Sequence, residues 1–386
     1  MKTMKKDISL ILLLLTLLIS FVITTTAESS IIDSMEFQGD RIDLTLEKAI
    51  EIVLKDNPTI KQSELSLEQA EVKSKQIISA GKDNKKLYSN YKREGTIGNL
   101  LVYKLPKLNA DFVLANAKRN YEATVENLKA DIEKSYFELL QLEQMNEINK
   151  EDLDIAKDIY KKTKQKFELG LVTKQEVISS ELNLKKAENS YIASENMLKK
   201  AKMAFNIKLG YDVMTKVNLI DELGYKEFEG VSIADVVSKA LINRNEIKAA
   251  EFKYELEKIN MDITAKQYTE NTYVYRDQKI KLEKALKDLN DIKKNIEMEV
   301  RSNYLNIKEK YEEIKAGEKA VELAKEALRL YQLSYDVGTA ILTDVQEAQT
   351  SLLQARLGLS KAILEYNLAI SKFEDSIGVG RTVINM

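Results

Sequence analysis

Nine apolar or small residues between Val177 and Phe205 step three and four positions at a time without a break: Val177, Ser180, Leu184, Ala187, Tyr191, Ser194, Leu198, Ala201 and Phe205. The same ladder returns 168 residues later as Val345, Ala348, Leu352, Ala355, Leu359, Ala362, Tyr366, Ala369 and Phe373. Such steps put every rung on one face of a helix. Large and small rungs alternate, which is what knobs entering holes between closely spaced helices require. Two copies of so specific a ladder mark an internal duplication, and the chain must build the same helical unit twice.

Each ladder follows a glycine-centred turn, FELGLVTKQEVISS at Phe167 to Ser180 and YDVGTAILTDVQEA at Tyr335 to Ala348. A long segment of helical period precedes each turn. From about Leu108 to Phe167 it carries Tyr121, Val125, Leu128, Ile132, Tyr136, Leu139, Leu142 and Met145, with no proline or glycine. About 60 such residues make a helix ~90 Å long. From about Lys279 to Tyr335 the partner segment carries Val300, Tyr304, Ile307, Tyr311, Ile314, Val321 and Leu328, so that Tyr136 and Tyr304 correspond. Each turn is therefore the tip of a helical hairpin, and Gly210 and Gly378 are expected to close the returning helices.

The composition fits long helices and narrows the chemistry. There are two prolines and no tryptophan, and 31% of residues are charged. The 59 basic and 61 acidic residues nearly cancel and leave no basic stripe for phosphates, which argues against nucleic-acid binding. Absence of histidine and cysteine removes triads, thiol chemistry, the usual zinc ligands and disulfides. No glycine-rich phosphate loop is present, so neither an enzyme nor a cofactor is expected.

Residues 1–27 read as a secretory signal: Lys2, Lys5 and Lys6, an apolar run from Ile8 to Ile23, and small residues ending at Ala27 before Glu28. An uncleaved anchor is the alternative, although the run falls short of the ~20 residues of a spanning helix. No cysteine is available for a lipid-modified mature N-terminus. After a polar spacer at 28–43, the first helical repeat covers 44–210, a linker 211–230, the second repeat 231–378 and a tail 379–386. The first repeat opens with Leu44 to Lys61, LTLEKAIEIVLKDNPTIK, where Asn57 suits a helix cap and Pro58 a first position. Its second helix is expected to end near Gly81. Val231 to Lys248 repeats that opening at an offset of 187 without the proline. Between its early and long helices the first repeat offers a small β-hairpin, Leu87 to Lys92 against Thr96 to Leu105, turning at Arg93-Glu94-Gly95. The second offers only Gln267 to Gln278, a tight bend. Membrane-spanning strands need ~9 to 11 residues each, and the connectors do not supply them.

The LTLEKAIEIVLKDNP opening, the long helices with Tyr136 and Tyr304, the turns GLVTKQEV and GTAILTDVQEA, and the duplication together resemble the TolC-like outer-membrane efflux proteins. The resemblance spans about Leu44 to Gly378. It implies a protomer of long antiparallel coiled-coil hairpins in two repeats; family members add a barrel of four strands per chain, but the connectors here leave the β-barrel strands largely absent, so an all-α fold is expected. It further implies a homotrimer whose helices form a hollow tube, exported to the cell envelope and, by family, its outer membrane. In the family the turn-bearing end docks on an adaptor, or membrane fusion, protein that links it to an inner-membrane pump or exporter. On this resemblance the docking residues are Gly170, Leu171, Val172 and Thr173 with Gly338, Thr339, Ala340 and Ile341. Asp344 and Glu347 match acids that ring the closed aperture, and Tyr335 with Glu176 matches a locking contact between neighbouring hairpins. An arginine of a second lock is replaced here by Ala340.

Without a full barrel, membrane association is expected to be indirect or through other subunits. The expected function is a conduit in an efflux or type I-like export assembly. The alternative is a structural or adhesive coiled-coil spacer of the envelope without a lumen. A third reading, an adaptor, would need β domains flanking a single hairpin, and no such runs of strands are found.

Overall fold

The computed structural model of the protein describes residues 36–384. The expected signal segment lies outside the described residues.

A short strand β1 (Gln38–Leu44) leads into α1 (Leu46–Asp56) and α2 (Pro58–Asp83). The long α3 (Leu105–Glu168) and α4 (Lys174–Lys208) form the first hairpin, and β2 (Thr215–Leu219) follows. The second repeat comprises α5 (Ile233–Asn243), α6 (Asn245–Gln267), α7 (Tyr273–Asp336) and α8 (Leu342–Ile377). Both long helices have 64 residues, so each rises about 96 Å at 1.5 Å per residue. A single stripe of that length cannot stay in water. Each long helix buries its stripe against two shorter partners, α2 and α4 along α3, α6 and α8 along α7.

The duplication is realised in the packing. Tyr136 lies edge-on to Phe205 with ring centroids 6.1 Å apart, and 168 positions later Tyr304 meets Phe373 at 6.0 Å. Every rung of both ladders is buried or half-buried. One core gathers Leu44, Val53, Ile132, Tyr136, Leu139, Phe205 and Val217 in the first repeat, and another gathers Val236, Ile247, Val300, Ile307, Ile314, Tyr366 and Phe373 in the second. Full burial of one such aliphatic side chain is worth roughly 1.5 to 3 kcal/mol, so these layers dominate the stability of the rod.

Caps set the helix boundaries. Asn57 accepts from Thr59 N at 2.8 Å with Pro58 at the first helical position of α2, as its sequence leads one to expect. At the equivalent break in the second repeat Arg244 stands in place of Asn57. It is buried and ion-paired to Glu246 at 2.8 Å and Glu299 at 3.0 Å, tying the start of α6 to α7. Charge pairing there does the work that a small cap does in the first repeat. Gly210 adopts φ 78° after α4, whereas Gly378, expected to close α8 in the same way, has φ −79°.

Two expectations are corrected. The β-hairpin at Leu87–Leu105 does not form: Thr96 caps a helical turn at Ile97–Asn99, and a π-helical stretch, Leu100–Lys104, runs straight into α3. Burial of both Leu100 and Val102 and the helical packing of this segment on α2 override its strand-like Tyr, Val and Thr content. The spacer at 28–43 and the linker at 211–230 are also less plain than their polar sequence suggests. Parts of them pair as the parallel ribbon of β1 and β2, with Ile42 opposite Val217 and Leu44 opposite Leu219. These are the only strands among the described residues. The Gln267–Gln278 connector is the tight bend that was expected, with α6 ending at Gln267 and α7 starting at Tyr273.

Candidate functional site

Both hairpin tips end in the same hydrogen-bonded turn. In the first, Gly170 N donates to Phe167 O at 2.9 Å and Leu171 N to Lys166 O at 2.8 Å. In the second, Gly338 N donates to Tyr335 O at 3.2 Å and Thr339 N to Ser334 O at 2.8 Å. This is the Schellman pattern, and it needs a left-handed residue at its centre. Gly170 and Gly338 supply it at φ 74° and 83°. Nothing lies within 4 Å of a Cβ built on either glycine, so backbone conformation rather than crowding is what selects glycine.

The returning helices start differently. Thr173 caps α4 with a full capping box: its hydroxyl accepts from Glu176 N at 3.3 Å, and Glu176 Oε2 accepts from Thr173 N at 2.8 Å. In the second tip Asp344 reaches back to Ile341 N at 3.3 Å, but Ile341 has no side-chain oxygen to return the bond. Half of the box is missing there.

The two tips lie side by side. Lys162 Nζ is 3.5 Å from Asp336, and Lys166 Nζ sits 4.0 Å over the Tyr335 ring while donating to the Tyr335 carbonyl. Further along, Ser179 meets Gln346 at 3.3 Å, and Asn183 donates to Gln349 at 2.9 Å. Gln349 in turn donates to the Asp152 carboxylate at 2.8 Å. Burial pushes the Asp152 carboxyl up, against the opposing effects of the Gln349 amide and the Arg356 charge. The seam between the hairpins is thus polar where each hairpin is apolar within. An exception is Ile159, which inserts from α3 among Leu328, Tyr335, Leu342, Val345 and Leu352.

Of the residues expected at the docking tips, Gly170, Leu171, Thr173, Gly338, Thr339 and Ile341 are exposed, and Val172 and Ala340 are half-buried. Leu171 is 69% exposed and Ile341 62%, large values for aliphatic side chains held on an ordered turn. Asp344 is half-buried at the start of α8, and Glu347 one turn later is exposed. Tyr335 is buried at 4% exposure. Within the chain its hydroxyl meets Thr163 Oγ1 at 3.2 Å and not Glu176, whose carboxylate is occupied by the Thr173 box. Burial raises the phenol, with Thr163 opposing and the charges of Glu176 and Asp336 adding to the rise.

Lys166 and Asp152 were not singled out by sequence. On an amphipathic helix a lone lysine or aspartate reads as solvated face, and only the neighbouring hairpin makes these two different. The same holds for Asp221 in the linker, which accepts from the buried Tyr136 hydroxyl at 2.6 Å and from Leu46 N at 3.1 Å.

Comparison with known proteins agrees with this architecture. A family model described as "Outer membrane efflux protein" matches residues 259–378. The outer membrane protein TolC of Vibrio cholerae is 22% identical over 307 residues, covering 68% of this chain and 70% of the relative. Among solved structures, the outer membrane protein VceC of Vibrio cholerae superposes with a TM-score of 0.69 at 15% identity, covering 87% of this chain and 97% of that one. The CmeC outer membrane channel of Campylobacter jejuni gives 0.68 at 16% identity, covering 88% and 87%. Family match, relative and fold thus agree: the chain has the fold of the outer membrane efflux channels, and its second repeat matches the outer membrane efflux protein family.

Proposed function

We propose that this chain is the conduit of an efflux or type I-like export assembly in the cell envelope, docking on an adaptor protein through its two hairpin tips. An inner-membrane pump or exporter supplies the energy. The observation that carries the reading is the pair of tips, two ordered Schellman turns on neighbouring hairpins that leave Leu171 and Ile341 out in water. Apolar residues on a rigid turn at the end of a long rod are suited to a partner's helical hairpin.

The conduit is a homotrimer. Support comes from apolar residues left on outward faces, Leu323, Leu330 and Val337 at seven-residue spacing on and just beyond α7, and Ile178 and Leu182 on α4. A lone rod cannot bury such rows, and neighbouring copies can. Under three-fold symmetry Asp344 and Glu347 would bring like carboxylates together at the aperture, repelling anions and favouring cations. A Tyr335–Glu176 lock between neighbouring hairpins would require both side chains to leave their present partners, Thr163 and Thr173.

The test is a pull-down with the cognate adaptor. Leu171→Asp and Gly338→Pro are each expected to abolish capture while the helical signal is retained; capture indifferent to both changes would remove tip docking. The spacer reading keeps one observation in its favour, that β1 and β2 are the only strands among the described residues. A solution-scattering profile separates the two, since a hollow tube and a solid bundle of equal mass differ in cross-section.

A further inference from the structure

The end of the rod opposite the tips has a composition of its own. Both connectors lie at that end, because α3 and α6 run antiparallel: Arg119 Nε meets Asn245 Oδ1 at 3.0 Å, and one stretch further on the Phe112 and Phe252 rings stack at 3.7 Å. Between 82 and 107 the sequence has seven lysines and arginines against two acids, and between 266 and 281 four against two. The chain as a whole carries −2. At the other end, Tyr335 to Glu347 contains Asp336, Asp344 and Glu347 and no basic residue. The far end is basic in both connectors, whereas the tip end is mixed, acidic at the second tip and with Lys161, Lys162, Lys164, Lys166 and Lys174 around the first.

That basic end is built rather than loose. An added Cβ at Gly81 would lie 2.5 Å from Pro106 Cγ, so α2 and the start of α3 touch directly. The Thr96 hydroxyl donates to Asn90 O at 2.9 Å and contacts Arg93 O at 2.8 Å, and Asn99 Nδ2 donates to Tyr91 O at 3.1 Å. On this frame Lys85 Nζ lies 5.8 Å and 5.6 Å from the Tyr91 and Tyr103 ring centroids. Large apolar groups stand out on both connectors: Leu87 is 74% exposed and Tyr273 90%, with Tyr103, Tyr268 and Val274 also exposed. Among the described residues no helix is long and apolar enough to cross a membrane.

We propose that this basic, tyrosine-rich end seats peripherally on an anionic lipid surface, the lysines on headgroup phosphates and Leu87, Tyr273 and Val274 at the acyl boundary. Tyrosine joins an apolar body to a polar tip, and lysine can extend its amine past buried methylenes, so both suit the water–lipid boundary. Anionic lipid attracts basic residues near its surface with about a fivefold gain in partitioning for each. A soluble anionic polymer would pair the lysines and leave the apolar groups in water. The arrangement therefore favours lipid. It also replaces the expected indirect membrane association with a direct one, and it does not depend on tip docking.

The experiment is co-sedimentation of the full chain with vesicles of phosphatidylcholine alone and of phosphatidylcholine with phosphatidylglycerol. Wild type is expected to sediment with the anionic vesicles only, and less so as salt rises. Lys82→Glu, Lys86→Glu and Lys92→Glu together are expected to weaken this at least about a hundredfold. Tyr273→Ser with Val274→Ser should weaken it independently and spare its salt dependence. All five side chains are exposed, and helical circular dichroism checks each fold. Wild type and variants share one N-terminus, so the difference between them reads the far end alone. No sedimentation of wild type, sedimentation unchanged in both variants, or capture by soluble poly(glycerol phosphate) without vesicle binding would each overturn the proposal.

Discussion

The first tip turns through Leu169, Gly170 and Leu171 and the second through Val337, Gly338 and Thr339 on the same backbone hydrogen bonds, yet their side chains have different fates. Behind the second tip, Tyr335, Leu342, Val345 and Leu352 close into a core completed by Ile159 from the other hairpin. The first tip builds no comparable core. Val177, the equivalent of Val345, is only half-buried, and Ile178 and Leu182 face solvent. Duplication thus preserved the turn and the ladder, while packing within the chain was completed in one copy. Apolar surface left on the other copy is what an assembled tube would cover.

The comparison can be broken by mutating equivalent positions. Tyr136 is 1% exposed and bonded to Asp221, so Tyr136→Ala is expected to cost ~3 to 5 kcal/mol, while the half-buried Tyr304→Ala costs about half as much. Thermal and denaturant unfolding of the two variants side by side would show the order; equal losses would mean that the repeats are packed alike. Val345→Ala should cost ~1.5 to 2.5 kcal/mol, and Val177→Ala less than ~1 kcal/mol in the isolated chain. If Val177 sits in a subunit interface, its cost rises toward that of Val345 once the protein assembles.

Capping gives a smaller and opposite pair. Thr173→Ala removes a complete box and should cost ~1 kcal/mol, whereas Ile341→Ser supplies the missing oxygen opposite Asp344 and should gain ~0.5 to 1 kcal/mol. Melting temperatures would move in opposite directions, and a loss in the Ile341 variant would show that its aliphatic side chain is more valuable than the cap.

The pH dependence at the seam has a definite sign. Burial raises the Asp152 carboxyl in the folded chain above its ordinary value of 3.8. Such a group leaves stability intact below the ordinary carboxylate value and removes it as pH rises through the elevated folded value. Asp152→Asn keeps an oxygen for Gln349 and cannot ionise. Its melting temperature should exceed that of wild type at neutral pH, with the gap closing at acid pH; a gap that stays constant would place the effect elsewhere.

Much of this fold could be read because helices announce themselves locally. Glycine at 170 and 338, the unbroken ladders and the cap at Asn57 each signal within a few residues of their own position. The features that escaped are those that depend on distant partners. The β1–β2 ribbon joins segments about 175 residues apart, QGDRIDL and TKVNL, neither apolar enough to stand out. The connector at Leu87–Leu105 has strand-like residues, but α2 beside it decides its conformation. At the tips, the exposed residues were legible because turns carry their own signature, whereas the Lys166–Tyr335 stack and the Asp152–Gln349 bond arise only where two hairpins meet. Tyr335 was recognised as important, but its partner within the chain is Thr163.

If this chain is one stave of a hollow tube, as proposed, the native particle holds more than one copy of it. Native mass measurement of the purified protein is predicted to give three chains in one particle. A stable monomer across the working concentration range would contradict it.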